Sequence, residues 1–203
     1  GASGCGKSTL LQSLAGLRLP SAWQSNHKIE DIANASVFMG QVPYFFDDSV
    51  RSNLLYGVEK SDKVTDEMIY HYLQIVGVDK EVALLPQGLS THVSLLSDSI
   101  SGGQLQRMVL VRTLLQNLPI ILLDEAMSAI DVSAERVITE NLLEIVSKES
   151  KVLICVTHRV GLLQAFDEVW FLDNKGIKLR GHHDHLLGNK EYREFCYAIG
   201  ESK

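Results

Sequence analysis

Gly1-Ala2-Ser3-Gly4-Cys5-Gly6-Lys7-Ser8 opens the chain, and Thr9 follows. The stretch fits G-x-x-x-x-G-K-[ST] without a mismatch. Glycines in such a loop let backbone N–H groups curl around a phosphate. Leu10, Leu11, Leu14 and Leu17 recur at helical spacing behind it, which predicts a helix over Lys7–Leu17. The positive end of that helix would face the same anion. In this reading Gly1, Ser3, Gly4, Cys5, Gly6 and Thr9 belong to the cradle. Lys7 would reach the β- and γ-phosphates, and Ser8 would ligate Mg²⁺. Cys5 stands at a variable position of the pattern and is a small spacer, not a nucleophile. The bland alternative, a glycine-rich turn before an ordinary helix, does not call for Lys-Ser-Thr directly before the apolar face. Phosphate loops follow a strand, yet nothing precedes Gly1 and no initiator Met is present. The sequence therefore reads as a piece of a longer protein, without the strand that leads into the loop.

Outward from the loop, apolar runs alternate with amphipathic segments. Ser36–Met39, Ile120–Leu123, Lys151–Val156 and Glu168–Leu172 read as buried strands, the last followed by an Asp173-Asn174-Lys175-Gly176 turn. Asp66–Val76 (with Gly77 as C-cap), Leu105–Leu115, Val132–Val146 and Leu186–Ile199 read as helices. Pro20–Ala35 is polar and irregular, and Pro86–Ser99 is loop-like. The alternation predicts an α/β fold with a mostly parallel sheet covered on both faces. The segment Asp66–Leu115, with no convincing strand, predicts a helical insertion. Ile120–Leu123 runs directly into Asp124 and Glu125. Ligands of open α/β sheets sit at the carboxyl ends of strands. With a phosphate loop upstream, Asp124 would hold Mg²⁺ and Glu125 would polarise the attacking water as general base.

Ile100-Ser101-Gly102-Gly103-Gln104, continued by Leu105-Gln106-Arg107, resembles the LSGGQ-x-Q-R signature of ABC ATPases. A Ser and two glycines at a helix start form a second anion cradle. The resemblance explains the surplus: two such domains pack head to tail, and Ser101, Gly102, Gly103 and Gln104 would cover the ATP held by the other. Further positions match in order. Gln41, in Gly40-Gln41-Val42-Pro43-Tyr44-Phe45-Phe46, is similar to the Q-loop glutamine, which senses Mg²⁺ and the γ-phosphate on a loop that contacts the transmembrane part. Ser49-Val50-Arg51-Ser52-Asn53-Leu54 is similar to the usual T-I-R-E-N-L. Ser128-Ala129-Ile130-Asp131 resembles the D-loop at the dimer interface, and Asp131 would lie near nucleotide. Thr157-His158-Arg159 resembles the H-loop, whose histidine, here His158, touches the γ-phosphate.

Leu85-Pro86-Gln87-Gly88 with Thr91-His92-Val93, and Gly181-His182-His183-Asp184-His185-Leu186, resemble stretches of exporter-type members. Ser94, Leu95, Leu96 and Ser97 depart from the exporters' G-E-x-G. The interval from Ser8 to Gln41 is short and lacks the glycine-rich strand pair of the family, which predicts a shortened antiparallel lobe. By ligand type His182, His183 and His185 could hold a metal; the resemblance assigns them instead to the exporter stretch. The resemblance implies a P-loop NTPase core in one domain over 1–203. Its parts would be a phosphate-loop to Q-loop core (1–65), a helical signature subdomain (66–115), and an acidic-strand, H-loop and C-terminal core (116–203).

The 203-residue chain carries 25 acidic against 19 basic side chains, a net charge of −6. That balance argues against a general nucleic-acid binder, whose affinity comes from Lys and Arg on phosphates. No apolar run approaches the roughly 18 residues that cross a bilayer. Cys5, Cys155 and Cys196 are widely spaced and show no CxxC, which fits reduced thiols. The expected activity is Mg²⁺-dependent ATP hydrolysis by an ABC transporter domain, of exporter type. The expected partners are a transmembrane domain of the same or another chain and a second ATPase domain in a homo- or heterodimer. The expected location is the cytoplasmic face of a membrane. The rival readings are an ABC ATPase acting on nucleic acid or ribosomes, and a binding module with dead chemistry. Of the first, the nucleic-acid kind is disfavoured because no sustained heptads separate the phosphate loop from the signature; the ribosome-acting kind carries two tandem copies and stays open. The second is disfavoured because Lys7, Asp124, Glu125 and His158 are all present.

Overall fold

The computed structural model describes residues 1–95 and 100–200. Along the chain run α1 (Lys7–Leu14), α2 (Ile29–Asn34), β1 (Ser36–Met39), α3 (Val50–Leu55), α4 (Asp66–Ile75), α5 (Asp79–Ala83) and α6 (Gly102–Leu115). There follow β2 (Ile120–Asp124), α7 (Val132–Lys148), β3 (Val152–Val156), β4 (Val169–Asp173), β5 (Gly176–Gly181), α8 (His183–Leu186) and α9 (Lys190–Gly200). The architecture is α/β, as the alternation predicts. One sheet has the order β1-β2-β3, and β4 and β5 form a second. The chain divides into two compact units: Gly1–Asn34 with the chain from Cys155 on, and Ala35–Ile154.

In the Ala35–Ile154 unit β1 and β2 are parallel, with Ser36 opposite Ile120 and Met39 opposite Leu123. β2 is buried from Ile121 to Asp124, as expected of a strand covered on both faces. Helix α6 packs against α3, α4 and β1. Met108, Leu110, Val111 and Leu114 are buried along it, together with the polar Gln106 and Thr113, so it is a core helix. Thr65 caps α4 by accepting from the Met68 N–H at 3.3 Å. At the other end the Val78 N–H donates to the Leu73 carbonyl and the Gly77 N–H to that of Gln74, with Gly77 at φ 64°. That is the paired closure a glycine C-cap permits.

In the other unit α1 ends at Leu14 and the chain turns at Gly16, φ 70°. The turn brings α2 so close that a Cβ on Gly16 would lie 2.8 Å from that of Ala33. β4 and β5 make an antiparallel hairpin with a register shift between Phe171 and Leu172. Phe171, Leu186, Tyr192 and Cys196 form a small core over it. The Phe171 ring meets those of Tyr192 and Phe195 edge-on at 5.4 and 5.0 Å.

Several expectations need correction. Glu168–Leu172 is not a further strand of the parallel sheet but half of the hairpin, and its partner β5 was unforeseen. The small antiparallel sheet is this β4–β5 hairpin, late in the chain. The expected single helix Leu186–Ile199 is two, α8 and α9, parted at Gly188 and Asn189; the Asn189 carboxamide accepts from the Tyr192 N–H at 3.1 Å and starts the second. α2, α3 and α5 lie where no helix was expected. Of the four residues that depart from the exporter pattern, Leu96 and Ser97 lie outside the described residues.

Candidate functional site

The loop before α1 has two glycines in the left-handed region, Gly4 at φ 79° and Gly6 at φ 98°. L side chains are strained there, so both positions call for glycine. Gly6 is the N-cap of α1, and the first turn holds no acidic residue. The Lys7 ammonium folds back onto the loop and donates to the Gly1 and Ala2 carbonyls, both at 2.9 Å. Ser8 and Thr9 are exposed. A cation, a helix N-terminus and turned backbone amides in one loop make an anion site of the kind that takes a polyphosphate. The same unit carries His158, half-buried just past β3, where the Arg159 N–H donates to the Thr157 hydroxyl at 3.0 Å.

The other unit gathers the remaining residues. Met39 and Leu123 are register partners. Gln41 and Glu125 each lie two residues further on, so two parallel strands deliver them side by side. Gln41 Nε2 donates to Glu125 Oε2 at 3.3 Å. Asp124 is the last residue of β2 and is buried. Glu125 is in the left-handed region, φ 51°, rare for a side chain of its size. The Ser128 N–H, donating to the Glu125 carbonyl at 3.1 Å, closes the turn that follows. Non-glycine outliers of this kind cluster at functional sites.

Ser101 caps α6 in a reciprocal capping box: its hydroxyl accepts from the Gln104 N–H at 3.2 Å, and Gln104 Oε1 accepts from the Ser101 N–H at 2.8 Å. Gly103 is needed for a close approach, since a Cβ there would stand 2.7 Å from the Ala129 carbonyl oxygen. The signature turn thus abuts the Ser128–Asp131 turn of its own chain. Asp131 itself caps α7, accepting from the Ala134 N–H at 3.0 Å and the Ser133 hydroxyl at 2.6 Å. Those hydrogen bonds, the Ser133 hydroxyl first, hold its carboxyl below the usual range.

Three supporting residues have roles that the sequence patterns do not assign. Gln106 is 2% exposed, and its side chain bonds both the Gln41 carbonyl and the Ala129 N–H. Asn53, buried on α3, accepts from the Phe46 N–H at 2.7 Å and donates to the Phe46 carbonyl at 3.0 Å. Arg112 donates to the Asn53 and Tyr44 carbonyls at 2.7 and 3.0 Å. Its guanidinium stacks over Phe45, Phe46 and Tyr56 at 5.1, 5.8 and 6.0 Å. The signal was present: a polar side chain in the apolar register of a helix needs buried partners.

Mg²⁺ takes oxygen donors and is held by one or two protein groups together with substrate phosphates. Ser8, Gln41 and Asp124 all offer side-chain oxygen. Among the described residues no group of three or more His, Cys, Asp or Glu could hold a metal ion, and His183 Nδ1 is instead 2.7 Å from the Tyr192 hydroxyl.

Three comparisons bear on this site. The family model described as ABC transporter matches residues 1–128. Multidrug resistance protein 1 of Entamoeba histolytica is 32% identical over 207 residues, covering 98% of this chain and 16% of that protein. The glutathione/L-cysteine transport system ATP-binding/permease protein CydD of Bacillus subtilis is also 32% identical, over 97% of this chain and 35% of its own length. Among solved structures, a bacterial Atm1-family ABC exporter with ATP bound superposes with a TM-score of 0.82 at 27% identity, over 97% of this chain and 35% of that one. The chain therefore spans between 16% and 35% of the length of these relatives. Among the described residues no helix is long and apolar enough to cross a membrane.

Proposed function

The chain belongs to the ABC transporter family, and from that premise we propose that it binds ATP and hydrolyses it with Mg²⁺ to drive a substrate across a membrane. The direction is export, in keeping with the multidrug-resistance and exporter relatives. The phosphate loop Gly1–Gly6, Lys7 and Thr9 hold the triphosphate. By resemblance to the family, Ser8, Gln41 and Asp124 would hold Mg²⁺, which would supply neutralising charge to the phosphate oxygens. Glu125 takes the proton of the attacking water, and Gln41 orients its carboxylate. His158 contacts the γ-phosphate. Ser101, Gly102, Gly103, Gln104 and Asp131 serve the nucleotide of a second ATPase domain, packed head to tail. The helical segment 66–115 carries the first four of these, and Asp131 belongs to the segment 116–203. The aromatic loop at Tyr44–Phe46, stiffened by Arg112 and Asn53, meets a transmembrane domain at the cytoplasmic face.

The observation that carries this reading is the Gln41–Glu125 contact, 3.3 Å, at the ends of two adjacent parallel strands. A general base contributes about 10²–10⁴-fold to turnover. In the full-length protein, Glu125→Gln should lower steady-state ATPase by at least about 100-fold while nucleotide affinity stays close to wild type. ATPase near the wild-type rate would remove Glu125 from the chemistry. Action on nucleic acid or ribosomes finds no support among the relatives named above.

A further inference from the structure

Gln106 sits in the middle of an apolar helix and is almost wholly enclosed, 2% exposed. Burying a carboxamide is costly unless its hydrogen bonds are replaced. Here they are, by groups of two separate loops. Nε2 donates to the Gln41 carbonyl at 3.1 Å and to the Ser128 hydroxyl at 3.4 Å. Oε1 accepts from the Ala129 N–H at 2.8 Å. The orientation is fixed by chemistry: a flipped amide would set oxygen against the Gln41 carbonyl and NH₂ against an N–H donor. A hydrophobic residue of equal volume would pack as well, so packing alone does not account for a glutamine.

We propose that Gln106 is a positioning residue that ties the loop bearing Gln41 to the turn that follows Glu125, and ties both to the start of α6. The inference rests on the ATPase reading given above. Its geometric basis is a closed circuit. Gln41 holds the Glu125 carboxylate. Glu125 opens the turn whose Ala129 N–H is held by Gln106. One helical turn earlier, Gly103 lies against the Ala129 carbonyl with no room for a Cβ. A shift of the first turn of α6 therefore cannot occur without moving the main chain of Gln41 or of the turn. In a head-to-tail dimer that first turn faces the partner's nucleotide. Gln106 then links occupancy of the partner's site to the placement of this chain's own base.

The test uses the full-length protein and Mg-ATP. Gln106→Met keeps volume and removes all three bonds. Gln106→Glu keeps the acceptor for the Ala129 N–H and has no donor for the Gln41 carbonyl. Gln106→Met should lower kcat about tenfold or more with KM within about twofold, and should speed exchange of the Ala129 amide about tenfold. Gln106→Glu should keep that amide protected and still lower kcat. A kcat within about twofold of wild type in either variant overturns the proposal. So does a KM that rises in step with the fall in kcat, which would mark a merely structural residue. If Gln106→Met does not melt cooperatively, Gln106→Glu decides by the same criterion, and unfolding of both overturns it. Wild-type protein without ATPase sinks the function reading and this proposal with it. Active wild type with unaltered variants sinks this proposal alone.

Discussion

Asn53 shows how much one side chain can hold. It is 1% exposed on a six-residue helix. Its oxygen accepts from Phe46 and Arg112, and its nitrogen donates to the Phe46 and Ser49 carbonyls. Removing one partner of a buried polar pair costs about 1–3 kcal/mol per orphaned group, whereas removing both can be neutral. Asn53→Ala strands several partners at once, so a loss of about 2–4 kcal/mol is expected in denaturant titration of the full-length protein. Asn53→Asp keeps the two acceptor bonds and should lose less. Equal stability of Asn53→Ala and wild type would show that water replaces the carboxamide. The residue stood in plain view within Ser49–Leu54, but its role follows from Arg112, which lies far along the sequence and meets it only after folding. By contrast Lys7, Asp124 and Glu125 are singled out in the sequence because each belongs to a local pattern with its own chemistry, and Gln41 because its stretch resembles the family's Q-loop.

At the scale of elements, legibility followed length and period. β1 and β2 stood out because continuous apolar runs between polar flanks admit few readings. α6 was expected from Leu105 and begins at Gly102: glycines read as loop, and only the reciprocal Ser101–Gln104 cap shows that the helix has already started. β5 was missed although Ile177 and Leu179 alternate with Lys178 and Arg180, because four of its six residues are exposed and the segment is not a continuous apolar run. The split between α8 and α9 places His183 on the first and Tyr192 on the second, 2.7 Å apart and buried. This pair makes the joint sensitive to pH. Burial holds the His183 imidazole below its ordinary value of 6.5, with His182 adding to the effect and Asp184 opposing it. An unfolded chain takes up a proton near that ordinary value while the folded one does not. The joint is therefore most stable above it and weakens as pH falls below, until the folded imidazole itself protonates. Amide exchange across α8 and α9, corrected for intrinsic rates, should accelerate between about pH 7.5 and about pH 5.5. His183→Gln should flatten that dependence, and an unchanged slope in the variant would assign the effect to another group.

At the scale of the whole molecule the decisive feature is division of labour. The phosphate loop and His158 belong to one compact unit; the acidic strand end, the signature and the Ser128–Asp131 turn belong to the other. Within this chain the Ser101 hydroxyl and the Gln104 carboxamide are engaged with their own backbone, an arrangement that stiffens the helix start. In the proposed dimer the N-terminus of α6 then acts as a rigid anion-facing end for the partner's nucleotide. A pair of copies would hold two composite sites, each built from the Lys7 of one and the Ser101 of the other. That arrangement can be separated genetically. Ser101→Arg should put a bulky cation where the partner's phosphate belongs, and Lys7→Ala should remove the phosphate clamp of its own loop. When a Ser101→Arg copy is paired with a Lys7→Ala copy, both lesions fall in one composite site. The other site is intact. Counting nucleotide retained after rapid separation, in the Glu125→Gln background that prevents turnover, should give one ATP per mixed dimer. If each subunit instead completed its own site, every site would carry one lesion and the two would behave alike. Two equivalent nucleotides per mixed dimer, or none, would thus exclude the head-to-tail arrangement and leave the signature of α6 serving its own chain.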